Sequence, residues 1–125
     1  MKKYFVTLFF AFSLFANANV KLPLLFSDGM VLQRDKPIPL WGWADANEKI
    51  EVHFNNQIVK TNTDANGKWA LSLKPESAGG PFKMIVKGNN TIVLSNVLVG
   101  EVWICSGQSN MEFTVSNVQN AAQEM

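Results

Sequence analysis

Turn-forming residues recur about every eight to twelve positions between Val20 and Asn96, a spacing that leaves room for short strands and not for helices. Asn55-Asn56, Asp64-Ala65-Asn66-Gly67, Gly79-Gly80 and Gly88-Asn89-Asn90 punctuate the segment. Between them, apolar and polar residues alternate. Ile50, Val52 and Phe54 are separated by Glu51 and His53, and Trp69, Leu71 and Leu73 by Ala70 and Ser72. A period of two places each apolar set on one face of a half-buried strand. Further strands are expected at residues 40–44, 57–63, 82–87 and 91–94, while Pro37 and Pro39 confine their stretch to an edge or a strand entrance. The pattern predicts a compact antiparallel β-sandwich, Ig-like or jelly-roll-like, over residues 19–96.

The start of the chain follows another rule. Met1-Lys2-Lys3 is positive, residues 4–15 are almost wholly apolar, and Ala16-Asn17-Ala18 sets small residues at −3 and −1 of a cleavage point. A membrane-spanning helix needs about 20 apolar residues, whereas this run has about twelve. Residues 1–18 therefore read as a secretory signal peptide. Export to the periplasm or the extracellular space is expected, with no stable membrane anchor after signal removal. Loss of Lys2 and Lys3 lowers the eleven basic residues to nine, against ten acidic ones. So little positive field argues against a nucleic-acid partner. A single cysteine excludes a disulfide within the chain.

After Asn96 the pattern changes again. Residues 97–105 are nearly continuous in apolar and β-branched types, which predicts a strand covered on both faces, as in a parallel sheet. Ser106-Gly107-Gln108-Ser109-Asn110 makes a polar turn, and Ser116 with Gln119 matches a capping box before a helix-compatible stretch. Strand, turn and helix in that order predict the start of an α/β domain at residues 97–125. Ligands in such domains bind outside the carboxyl ends of the strands, which is where Ser109 falls. A serine there can act as a nucleophile, with backbone N–H groups at the helix start stabilising an oxyanion. Gly-x-Ser is also an ordinary turn, and Met111 stands where an α/β-hydrolase elbow has its second glycine.

The run Gly100-Glu101-Val102-Trp103-Ile104-Cys105-Ser106-Gly107-Gln108-Ser109-Asn110-Met111-Glu112-Phe113 resembles the nucleophile block of the sialate O-acetylesterase family, carbohydrate esterases of the SGNH-hydrolase fold. Leu25-Phe26-Ser27-Asp28-Gly29-Met30-Val31-Leu32-Gln33-Arg34, Trp41-Gly42-Trp43-Ala44 and Asp64-Ala65-Asn66-Gly67-Lys68-Trp69 resemble parts of that family's β-domain. The resemblance implies an O-acetylated carbohydrate as substrate and no cofactor. It makes Ser109 the nucleophile and its own N–H an oxyanion donor, with Gly107, Gln108 and Asn110 supporting the turn. The family's general base is a His in a later Asp-x-x-His block, and no such block follows Ser109 here. By this reading the chain holds a leader, a β-domain and the opening of a catalytic domain, and is inactive by itself. The alternative is an exported carbohydrate-binding or adhesion sandwich without chemistry.

The other chemically capable residues read as structural. His53 alternates outward on its strand, Cys105 reads as a small buried hydrophobe, and Trp41, Trp43, Trp69 and Trp103 read as core rather than as a sugar platform. No metal-ligand spacing is present.

Overall fold

Two of the turn signals close hairpins in the computed structural model, which describes residues 19–107. Seven strands form: β1 (Val31–Gln33), β2 (Ile38–Trp43), β3 (Lys49–Phe54), β4 (Gln57–Asn62), β5 (Lys68–Leu73), β6 (Gly79–Lys87) and β7 (Thr91–Gly100). Asn55-Asn56 joins β3 to β4 with Asn55 at φ 50°, and residues 88–90 join β6 to β7. The Asp64 turn instead carries the chain from one sheet to the other, with Gly67 at φ 74° and the Asp64 carboxylate accepting hydrogen bonds from the amides of Asn66 and Lys68 at 2.8 and 2.9 Å. An aspartate that satisfies the amides of its own turn is the usual reason for its preference there.

The large sheet has the order β1-β7-β6-β3-β4, and β2 pairs with β5 in a two-stranded sheet. Alternation decides which side chains meet between them. Ile38, Leu40, Trp69 and Leu73 from the small sheet and Ile50, Val52, Phe54, Met84, Val86 and Val97 from the large one form a single buried core. Phe82 closes one side of it, edge-on to Phe54 at 5.5 Å between ring centroids. Asn90 ties the chain's first described residues to the core's lower rim, accepting from the Val20 amide at 2.5 Å and donating to the Val20 carbonyl at 3.3 Å.

Three features depart from the expected sandwich. First, the sheet is mixed rather than antiparallel, because β1 runs parallel to β7 with Val31 opposite Leu98 and Gln33 opposite Gly100. β1 is three residues long with only Leu32 buried, too short to produce an alternating signal. Second, residues 91–94 and 97–100 are one strand. Leu94 and Val97 both point inward although three positions apart, and between them β6 advances only from Met84 to Phe82. This is a β-bulge at Ser95-Asn96, with Asn96 in the left-handed region at φ 56°, a conformation asparagine tolerates better than most residues.

Third, the strand expected through Cys105 stops at Gly100. Both neighbours run out there: β1 ends opposite Gly100 and β6 begins opposite Val99. Residues 101–107 therefore have no strand partner and are exposed, Cys105 included, which overturns its reading as a buried residue. The helix expected after the turn lies outside the described residues, as does the leader, and among the described residues no helix is long and apolar enough to cross a membrane.

Gly42 tests the packing between the sheets. It faces inward on β2, where a Cβ would press on the Lys21 carbonyl and stand 2.9 Å from Cζ2 of the buried Trp69 ring. Gly42→Ala is expected to destabilise the fold by about 1–3 kcal/mol, the usual cost of overpacking. Gly100→Ala, whose nearest neighbour would be Val31 Cγ1 at an ordinary 3.7 Å, is expected to change little. Urea unfolding followed by tryptophan fluorescence measures both.

Candidate functional site

The chain leaves the sandwich at Gly100, and the residues around β1 set its direction. Asp28 Oδ1 accepts from the Ser95 amide at 2.7 Å and the Gly29 amide donates to the Ser95 carbonyl at 3.0 Å, so the bulge loses neither backbone partner. Gly29 holds φ 75° in that turn, a conformation that strongly favours glycine. The parallel pairing then takes over: the Leu98 amide donates to the Met30 carbonyl at 3.0 Å and the Arg34 amide to the Gly100 carbonyl at 2.9 Å.

Beyond Gly100 side chains replace the missing strand. Gln33 Oε1 accepts from the Val102 amide at 2.9 Å, and Gln33 Nε2 donates to Glu101 Oε2 at 3.1 Å. Arg34 Nε lies 2.7 Å from Asp35 Oδ2 and 3.8 Å from Glu101 Oε1. The hydrogen bond and charge of Asp35, with a smaller contribution from Glu101, raise the Arg34 guanidinium above its ordinary value. One glutamine and one arginine thus fasten both ends of the Glu101-Val102 dipeptide to the end of β1. Val102 and Ile104 form one wall of an apolar groove of about 440 Å³ whose other side includes Leu25, Val31, Pro37 and Trp41.

Of the four expected site residues, Gly107 is described and exposed, while Gln108, Ser109 and Asn110 lie outside the described residues. Nothing in the chemistry of Gln33 and Arg34 by itself marks them; their signal is their place in the upstream block that resembles the family. His53 sits on β3 with its ring against the Glu51 carboxylate, and Lys60 Nζ reaches Glu51 Oε2 at 2.7 Å from the facing position on β4. Hydrogen bonds from Lys60 and then His53 hold the Glu51 carboxyl down at about 2. This is a solvated cross-strand cluster on the outer face of the large sheet. Among the described residues no group of His, Cys, Asp and Glu is arranged to hold a metal ion.

No protein-family model matches the chain. The sialate O-acetylesterase of Rattus norvegicus is 35% identical over 108 residues, covering 77% of this chain and 20% of that protein. The sialate O-acetylesterase of Homo sapiens is 33% identical over 122 residues, covering 88% of this chain and 23% of that protein. Among solved structures, a carbohydrate acetylesterase from Xanthomonas citri superposes with a TM-score of 0.75 at 40% identity, over 85% of this chain and 25% of that one. In sequence and in fold alike the chain is similar to proteins named as carbohydrate esterases. It belongs to the sialate O-acetylesterase family, and it spans about a fifth of the length of the curated relatives it matches.

Two predictions follow from these contacts. Gln33→Ala is expected to free the exit segment, so that chymotrypsin cleaves after Trp103 several-fold faster while the core strands stay resistant; gel-resolved limited proteolysis reads the difference. For Glu51 the sign is set by a folded value near 2, below the ordinary 4.5. Its contribution is fully present above about pH 4.5 and is lost as pH falls through about 2. The stability gap between the wild type and Glu51→Gln should accordingly be flat at neutral pH and close in acid, by denaturant titration across that range.

Proposed function

We propose that this chain contributes the leader, the β-domain and the nucleophile-bearing segment of an exported carbohydrate O-acetylesterase. The observation that carries the reading is the block from Gly100 to Phe113, which contains Ser109, in a chain whose relatives are named for carbohydrate ester cleavage. The β-domain's part is to aim that block. Gln33 and Arg34 hold Glu101 and Val102 at a point seven residues before Ser109. The sequence plan of residues 1–18 supports export.

In the proposed reaction the Ser109 oxygen attacks the acetyl carbonyl of an O-acetylated sugar, and its proton passes to a general base. The tetrahedral oxyanion is stabilised by backbone N–H donors, that of Ser109 among them, with Gly107, Gln108 and Asn110 shaping the turn. The sugar oxygen leaves with a proton from the same base. Water then attacks the acetyl-enzyme, releasing acetate and restoring the serine. His53 is the only histidine in residues 1–125, and it is engaged with Glu51 on the outer face of the β-domain. His53 is therefore not the base in this reading, in which the family's Asp-x-x-His block would supply it.

A polypeptide of residues 19–125 alone is expected to hydrolyse p-nitrophenyl acetate no faster than its Ser109→Ala variant. In a protein that joins these residues to an SGNH catalytic remainder, Ser109→Ala should lower kcat by roughly 10⁴-fold or more, as loss of a serine nucleophile does. His53→Ala should leave kcat unchanged there. Ser109-dependent turnover by residues 19–125 alone, or turnover that survives Ser109→Ala in the longer protein, would refute the assignment.

A further inference from the structure

The outer face of the small sheet carries large aromatic side chains where a solvated face ordinarily carries polar ones. On β2, Pro39, Trp41 and Trp43 point away from the core, and Trp41 and Trp43 remain 38% and 43% exposed. Across the strand pair they face Ser72, Ala70 and Lys68 respectively. Opposite each other, then, stand large flat rings and small or flexible side chains. Ala70 leaves the Trp41 ring uncovered on that side, and Lys68 can lie flat or swing away. The Trp41 ring is held from beneath by Phe26, edge-on at 4.8 Å between centroids. Trp41 and Trp43 follow one another at the two-residue repeat of a strand, about 6.8 Å, so their side chains leave the strand on the same face.

We infer that Trp41 and Trp43 make a glycan-binding strip that takes a neutral pyranose chain by stacking. The rings offer the apolar C–H faces of sugars a flat surface, as amphipathic aromatics do at binding sites. The rim supplies what the hydroxyls need. Lys68 is a donor and Asp64 an acceptor, and both line the same shallow groove of about 520 Å³ with Trp41, Trp43 and Ala70. A sugar hydroxyl both gives and accepts a hydrogen bond, so a rim of both kinds suits it better than a rim of one.

Taken alone the strip is small for a protein partner, although Trp41 also lines the neighbouring apolar groove with Leu25, Val102 and Ile104. Six residues along β2 and two strands across measure roughly 20 by 10 Å, about 200 Å² of footprint, against about 800 Å² per partner in a standard protein interface. A few sugar rings in line fit that footprint. The inference leans on the carbohydrate-esterase reading for its class of ligand, and on the geometry of β2 and β5 for its place.

Isothermal titration of a polypeptide of residues 19–125 and its variants with xylohexaose, cellohexaose and chitohexaose tests the strip, with quenching of tryptophan fluorescence as a second readout. At least one of the three is expected to bind saturably. Trp43→Ala should weaken that binding by at least about tenfold, through loss of one aromatic face. Ala70→Arg, which covers the floor between the rings without removing a core contact, should do the same. Val93→Ala, exposed on β7 of the large sheet, should leave it unchanged, and because this binding is read without ester cleavage, failure of the esterase assignment and failure of this one are told apart. No binding by any of the three, binding indifferent to both strip variants, or a concentration-dependent dimer in sedimentation that Trp43→Ala abolishes would overturn the inference.

Discussion

The parallel pairing of β1 with β7 joins residues almost seventy positions apart in the chain, and the course of the chain just beyond Gly100 hangs on it. Three backbone pairs are few for so long a closure, whose entropic cost must be met by contacts around it. Those contacts are present on both sides. Upstream, Asp28 and Gly29 engage both backbone groups of Ser95 at the bulge; downstream, Gln33 and Arg34 engage Glu101 and Val102. The bulge itself is what returns Val97 and Val99 to the core after Leu94. Without that extra residue, every side chain from Val97 onward would turn to the other face of the sheet.

Alternation was legible wherever a strand had a buried face and ordinary length. β3 and β5 read directly from Ile50-Val52-Phe54 and Trp69-Leu73, and the turns between strands read from residues that accept a left-handed backbone or bind their own amides. Elements that depend on long-range partners were not legible. β1 has one buried side chain, and its parallel direction follows from a partner at the opposite end of the domain. Residues 97–105 looked like one buried strand because composition reports apolarity. Where a strand ends is decided by where its neighbours end, and composition carries no trace of that.

The same division holds for the functional residues. Ser109 is proposed as nucleophile from a fourteen-residue block that resembles the family's, and it lies outside the described residues. The roles of Gln33 and Arg34 were hidden, since nothing in a Gln-Arg pair shows that it fastens a segment nearly seventy residues later. The tryptophans divided by face. Trp69 is core as its alternation required, while Trp41 and Trp43 sit two residues apart on a strand whose inward positions are Ile38, Leu40 and Gly42. Proline and glycine in β2 obscured which of the two sets faces in.

The course of the chain beyond the bulge depends on β7 being one strand, locked to β1 through the Asp28 turn. Amide hydrogen exchange of wild-type protein and Asp28→Ala, resolved residue by residue, measures this directly. Strong protection is expected at Ser95, Leu98 and Arg34 in the wild type, and Asp28→Ala should accelerate exchange at Ser95 and Leu98 while leaving the β2–β5 amides as they were. Fast exchange at Leu98 in the wild type, or protection there that ignores the loss of Asp28, would contradict it.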